Sequence, residues 1–357
     1  MSQDMNIPKE QKACIFHKKG GPVAVETVPV VQPSELKPGE ALVRVMYSGV
    51  CHTDLHAMLG DWPVPNKLPL IGGHEGAGYI VAMNDDQTDL KVGQNVGIKW
   101  IAHSCNKCEF CRQGYEPLCK SAQCSGYSVD GSFQQFAVSY TSQLTPIPDG
   151  LPLDDAAPIL CAGVTVYKAI KESGVKAGEW LVIPGAGGGL GHLAVQYANS
   201  MGIRVIAIDT GSEKEQLVKK LGAEKWIDFK TEKDIVKAVQ SAVPDGLGPH
   251  AAVVAAAGAA AYEQALEYLR PHGVCVAVGL PPDTDIKVPV FWTVFLSKRV
   301  VGSYVGNRQD AHEALALAAA GKVKTLYKTL PLGDLPKVYD DMHAGKLTGR
   351  IVLDMNK

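Results

Sequence analysis

Hydrophobic positions fall into two textures along the 357-residue chain. Up to about residue 160, short β-like runs such as Ala41-Leu42-Val43-Arg44-Val45-Met46-Tyr47 alternate with Gly- and Pro-rich segments. That pattern predicts an irregular, mostly β domain. From about residue 163, strands alternate with helical patterns. Trp180-Leu181-Val182-Ile183 reads as a strand, residues 190–201 as a helix and 204–208 as the next strand. Ser212 with Glu215 has the form of a capping box, and Gly222 stands where that helix should stop. Further strands are expected at 226–229, 251–255 and 274–278. Continuous apolar strands interleaved with helices predict an α/β, doubly wound parallel sheet covered on both faces. Beyond about residue 302, helical patterns at 311–320 and 335–344 precede a strand at 350–353, and this tail is expected to return to the first domain. The expected division is therefore 1–162 with 303–357, and 163–302.

Composition narrows the function. Apolar residues at 46% and charged residues at 20% are ordinary for a globular protein. A net charge of −2 supplies no electrostatic reason to expect nucleic acid or an anionic membrane as partner. The first twelve residues are polar, unlike a signal peptide. No uncharged apolar run reaches membrane-spanning length, and the alanine-rich stretch 251–261 is short and broken by Gly258. A cytoplasmic setting is expected.

Two sets of residues carry metal chemistry. Cys51-His52-Thr53-Asp54-Leu55-His56 is followed by Gly73-His74-Glu75, a thiolate, an imidazole and a carboxylate that can hold zinc with one position open. Cys161 is the best downstream candidate for a further ligand. Thr53, Asp54 and His56 stand where a proton path and supporting hydrogen bonds are needed. Separately, Cys105, Cys108, Cys111 and Cys119 are spaced for a thiolate cage and awkwardly for disulfides. With all four places filled by protein, that second zinc would be structural. Cys14, Cys124 and Cys275 read as plain buried or partly buried thiols.

The turn Gly185-Ala186-Gly187-Gly188-Gly189-Leu190-Gly191 lies between a predicted strand and a predicted helix. Glycines there let a pyrophosphate approach the backbone at the helix N-terminus. The run reads as the dinucleotide fingerprint with one extra residue. Asp209, at the end of the next strand, can accept from both ribose hydroxyls of NAD and would repel the 2′-phosphate of NADP.

Taken with GDWP, GGHEGAG, Gly302-Ser303-Tyr304-Val305-Gly306-Asn307-Arg308 and Gly349-Arg350, these motifs span essentially the whole chain. In that order they resemble the zinc-dependent medium-chain alcohol dehydrogenases, nearest the yeast and fungal ethanol dehydrogenases. The resemblance implies a GroES-like catalytic domain carrying both zinc sites, a Rossmann NAD-binding domain and a homotetramer. It implies reversible hydride transfer between short primary alcohols and NAD. By position it implies Cys51, His74 and Cys161 as catalytic zinc ligands, with Glu75 as an alternative ligand and Asp54 fixing the His74 ring. Thr53 would hydrogen-bond the alcohol oxygen, and His56 would pass its proton to solvent. His52, Thr53, Gly188, Gly189, Leu190, Asp209, Lys214, Phe229, Val278, Leu280, Ser303, Val305 and Arg350 match cofactor contacts. Trp62 and Trp100 match the bulky residues that narrow the alcohol pocket. Plainer roles exist for some: Phe229, Val278 and Leu280 as core, Lys214 as a solvated helix residue, Trp62 as a loop anchor. Asn84 stands where the family pattern has a small residue, often Gly, and asparagine tolerates the positive φ such a turn would use. A zinc-free quinone reductase would lack these ligands, and a non-enzymatic scaffold would not need Cys51, His56, His74 and Cys161 together.

Overall fold

The computed structural model describes residues 4–256, 258–281, 284–347 and 349–357. The chain forms two compact units: Met1–Cys161 with Asn307–Ala319 and Thr325–Lys357, and Ala162–Gly306 with Ala320–Lys324.

The first unit is mostly β. Its largest sheet runs Thr145–Pro146, Asn95–Ile98, Gly76–Asn84, Glu40–Val50, Arg350–Asp354, Tyr327–Pro331, with Phe136–Tyr140 also paired to Glu40–Val50. Neighbours are antiparallel except Tyr327–Pro331 beside Arg350–Asp354, which run parallel. The returning tail thus supplies two strands, and Val352 pairs with Gly49. Glu10–Phe16, Ala24–Pro29 and Leu70–Ile71 form a second sheet. Val43, Val45, Ile80, Val96, Phe133 and Leu353, all fully or nearly fully buried, belong to the core of this unit.

The second unit is a parallel sheet in the order Lys225–Asp228, Arg204–Asp209, Trp180–Pro184, Ala251–Val254, Val274–Ala277, Arg299–Gly302. This is the doubly wound dinucleotide-binding order, with the strand sequence reversing beside Trp180–Pro184. The two strands at that reversal are buried at every position, which is why they read as continuous apolar runs. The expected fold class is the observed one.

Two local expectations are corrected. Ser212 is the first residue of the helix Ser212–Lys220 and not its cap; Gly211, at φ 96°, takes that place without a side-chain cap. The Gly211 N–H is held by Asp228 Oδ2 at 3.1 Å, which fixes the chain's entry one residue earlier. Asn84 does not adopt positive φ; it ends the strand Gly76–Asn84, and its Nδ2 donates to the Leu36 carbonyl at 2.7 Å.

Candidate metal and dinucleotide sites

Cys51 immediately precedes the helix His52–Leu59, and the first-turn Asp54 bends back over it. Asp54 Oδ2 accepts the Cys51 N–H at 2.8 Å, and Oδ1 lies 2.8 Å from His74 Nδ1. The His74 Nε2 is thereby turned toward Cys161 Sγ, 3.2 Å away. Cys161 follows the short helical turn Ala157–Leu160. One donor atom from each of Cys51, His74, Glu75 and Cys161 lies within 4.8 Å of the others, and all four residues are buried.

Charge in this pocket is unevenly shared. The Cys51 thiol is held well below its ordinary range, first by a hydrogen bond with Cys161 and then by His74, against burial. The same bond, burial and the Cys51 charge push Cys161 up. Burial opposes charge on His74, but Asp54 and Cys51 overcome it and hold the ring's pKa well above its usual value. Burial lifts Glu75 to about 7 against the pull of Arg350. Glu75 Oε1 forms an ion pair with Arg350 Nη2, while Glu75 Oε2 and Arg350 Nε are buried without partners. Two thiols, an imidazole and a carboxylate crowded out of water are what a divalent cation of zinc's preferences would satisfy.

The four-cysteine loop is equally specific. Cys108 Sγ is 3.5 Å and Cys105 Sγ 4.0 Å from Cys111 Sγ. Tetrahedral Zn–S bonds of about 2.3 Å place sulfurs about 3.8 Å apart, between those two values. All four donor atoms lie within 4.8 Å of one another, and no disulfide is formed. The N–H groups of Lys107 and then Cys108 pull the Cys105 thiol down to about 6. Asn307 Nδ2 donates to the Gly114 carbonyl at 2.8 Å, and the Arg308 N–H donates to Glu116 Oε1 at 3.0 Å. The tail therefore braces this loop. Among the described residues these are the two groups of metal-type ligands.

Beside His74 stands an aromatic cluster. Trp100 meets the His74 ring edge-on at 5.0 Å, and Trp62 meets Trp100 at 6.3 Å. Tyr127, which the sequence reading did not single out, lies 5.8 Å from Trp62 and 5.6 Å from Trp100. His56 stacks on Trp62 at 5.4 Å, and its Nδ1 is 2.9 Å from Asp61 Oδ2, a partner also not foreseen. Thr53 is half-buried in the first turn of the same helix, where His52 is exposed.

In the second unit, the expected cofactor residues follow strand C-termini. Gly188, Gly189 and Leu190 lie in the turn after Trp180–Pro184. A Cβ at Gly191 would come within 2.0 Å of the Gly185 carbonyl, so only glycine lets the helix Gly191–Ser200 start this close to the strand. Asp209 Oδ2 accepts the Gly187 N–H at 2.9 Å, and its Oδ1 accepts Lys214 Nζ at 2.8 Å. Lys214 is therefore a partner of Asp209 rather than simply solvated. Phe229 and Leu280 are 49% and 54% exposed and so are not core, whereas Val278 is buried. Ser303 follows Arg299–Gly302 with its Oγ buried and unpartnered. Val305 holds φ 46°, a left-handed value rare for a β-branched residue. The C-terminal edge of an open parallel sheet at its reversal point is where dinucleotides bind. Arg350 belongs to the first unit, on Glu75.

A dinucleotide-binding fold joined in one chain to a cage of zinc-type ligands is the layout of a metal-dependent dehydrogenase. Residues 37–149 match the alcohol dehydrogenase GroES-like domain, and residues 189–320 match the zinc-binding dehydrogenase domain. The chain is 52% identical over 351 residues to alcohol dehydrogenase 1 of Emericella nidulans, covering 98% of this chain and 99% of that one. It is 49% identical over 355 residues to an alcohol dehydrogenase of Schizosaccharomyces pombe, covering 99% and 100%. Among solved structures it resembles the alcohol dehydrogenase of Aeropyrum pernix, with TM-score 0.85, 30% identity and coverage of 96% and 99%. The acetophenone reductase of Geotrichum candidum, solved in complex with NAD, gives TM-score 0.85 at 26% identity, covering 99% of each chain. The chain belongs to the zinc-binding, medium-chain alcohol dehydrogenase family.

Proposed function

We propose that this alcohol dehydrogenase carries out reversible hydride transfer between short primary alcohols, ethanol foremost, and NAD, giving the aldehyde and NADH. The observation that carries the reading is the buried convergence of Cys51, His74, Glu75 and Cys161. When bound, zinc supplies a Lewis acid for the alcohol oxygen, and NAD supplies the hydride acceptor. Cys51, His74 and Cys161 hold the catalytic zinc, Glu75 stands by as an alternative ligand, and Asp54 fixes the His74 ring. Cys105, Cys108, Cys111 and Cys119 hold a second, structural zinc, making two per chain. Thr53 would hydrogen-bond the alcohol oxygen, and His56, oriented by Asp61, would pass the alcohol proton to solvent. Trp62 and Trp100, with Tyr127 behind them, limit substrate size. Asp209 selects NAD, and Gly188, Gly189, Leu190, Lys214, Phe229, Val278, Leu280, Ser303 and Val305 receive it, with His52, Thr53 and Arg350 on the catalytic side. Residues 1–162 and 303–357 are assigned to the catalytic domain, and 163–302 to the NAD domain.

The partner is a second copy of the chain, within a homotetramer. In support, the helix Val290–Phe295 exposes Val290, Phe291, Trp292, Val294 and Phe295, each more than half exposed. It lies just ahead in sequence of Arg299–Gly302, the outer strand of the parallel sheet, which among the described residues is paired on one edge only. An open strand beside an apolar patch of this kind is normally covered. No described helix is long and apolar enough to cross a membrane. A cytoplasmic setting is proposed, with neither nucleic acid nor membrane as partner, since a net charge of −2 supplies no electrostatic attraction to either.

The test is NADH absorbance with ethanol through octanol, using both NAD and NADP. Efficiency should be highest for ethanol with NAD and fall as the chain lengthens. No NADH from any primary alcohol would overturn the reading, and a rise in efficiency toward octanol would overturn its substrate range.

A further inference from the structure

Gly49 sits inside the strand Glu40–Val50, paired with Val352 and outside the left-handed region. Nothing in the backbone calls for glycine there, and glycine inside a strand weakens it. What a side chain would meet is specific: a Cβ at Gly49 would lie 1.8 Å from Glu75 Oε2, 2.9 Å from its Cδ and 3.1 Å from its Cβ. The three nearest atoms all belong to one residue. That residue is no loose surface chain. Glu75 is fully buried, its backbone carbonyl accepts the Gly49 N–H at 3.1 Å, and its carboxylate is clamped on one side by buried Arg350.

We infer that Gly49 is a positioning residue for the catalytic metal site: its missing side chain is the recess that seats the Glu75 carboxylate. Seated there, Glu75 keeps one oxygen on Arg350 and remains within reach of Cys51, His74 and Cys161 without closing the cage. A methyl group at Gly49 evicts the carboxylate from that seat. The eviction has no cheap route, because leaving Arg350 strands a buried charge. The inference rests on the reading of Cys51, His74 and Cys161 as zinc ligands and adds a residue that touches none of the chemistry itself.

A double-mutant cycle tests it with a readout other than turnover. Zinc release to a chromogenic chelator is followed in the parent, Gly49→Ala, Glu75→Ala and the double variant, with kcat and KM alongside. The zinc of the four-cysteine loop serves as an internal control. Gly49→Ala should speed loss of the catalytic-site zinc about tenfold or more and leave the control within about twofold. In the Glu75→Ala background the same substitution should change release by less than about twofold, because the group it collides with is gone. A Gly49→Ala effect that persists at full size without Glu75, or no effect in the parent, would overturn the inference and leave the cage reading intact. A parent chain with one releasable zinc would overturn the cage reading and this inference with it. Should Gly49→Ala not accumulate as folded protein, the double variant must fold as well as Glu75→Ala; its failure beside a folded Glu75→Ala is again a refutation. If Glu75→Ala does not accumulate, Glu75→Ala/Arg350→Met, which removes both buried charges, replaces it as background.

Discussion

Asp54→Asn is the sharpest test of how the proposed zinc ligands are oriented. The Asp54 carboxylate is almost fully buried and serves two N–H groups at once, Cys51 N–H on Oδ2 and His74 Nδ1 on Oδ1, each at 2.8 Å. A carboxylate oxygen can only accept, so Nδ1, 2.8 Å from Asp54 Oδ1, carries the hydrogen. Asparagine keeps the shape but offers one acceptor oxygen where two are needed. One buried N–H must then face an NH2 group. Orphaning a buried donor costs about 1–3 kcal/mol, and about 1.4 kcal/mol is a factor of ten. If the loss falls on Cys51, it appears as stability; if on His74, as zinc affinity and kcat. The expected sum is about 1–3 kcal/mol, and a 10- to 100-fold drop in kcat/KM or zinc affinity is the usual size for a group supporting a metal ligand. Asp54→Ala orphans both donors and should cost more on both counts. The assay combines chelator competition, steady-state kinetics and urea unfolding. An Asp54→Asn enzyme within about twofold of the parent in affinity and kcat/KM, and within about 0.5 kcal/mol in stability, would refute this account of His74.

Metal analysis should find two zinc ions per chain, with Cys51→Ser abolishing turnover in a folded protein and Cys105→Ser mainly lowering the unfolding midpoint; an active Cys51→Ser would contradict the assignment. Asp209→Gly should erode the preference for NAD over NADP mainly by weakening NAD, read as the ratio of kcat/KM for the two cofactors. Trp62→Ala should shift the alcohol profile toward hexanol and branched substrates at the expense of ethanol; an unchanged profile would remove Trp62 from the pocket. Burial lowers the Lys99 pKa to about 7 against Glu116, so between about 7 and the ordinary lysine value of 10.5 the unfolded chain binds more protons than the folded one and stability rises with pH. Lys99→Met should remove that rise, seen as a flatter dependence of unfolding free energy between pH 7 and about 10 than in the parent.

The strands of the second unit were legible because their burial makes them uninterrupted apolar runs. Most of the proposed metal ligands were legible because they crowd into CHTDLH, GGHE and the cysteine loop. What escaped notice depends on tertiary proximity. Tyr127 joins Trp62 and Trp100 from a distant loop, and the Glu75–Arg350 pair joins residues 275 apart. Asp61 is only five residues from His56 but carries no signal of its own beside Trp62 and Pro63. The Ser212 cap failed because Asp228, on another strand, captured Gly211. The apolar run 290–296 carries the composition of a core segment, yet its large side chains face outward, because helical periodicity cannot say whether a partner lies within the chain or beyond it.

The strand Arg350–Asp354 has a consequence for the order of events during synthesis. It lies between Glu40–Val50 and Tyr327–Pro331 and carries the arginine that neutralises Glu75. Every residue of the second unit, Ala162–Gly306 and Ala320–Lys324, precedes it in the chain. The nucleotide-type unit can therefore be finished while the sheet behind the metal cage still lacks its penultimate strand and a buried carboxylate waits without its counter-charge. Leaving such a charge unpaired costs about 3–5 kcal/mol, enough to keep the cage from closing early. Only seven residues follow Arg350, so it stays inside the ribosome until the chain is released, and the proposed metal cage would settle only after release.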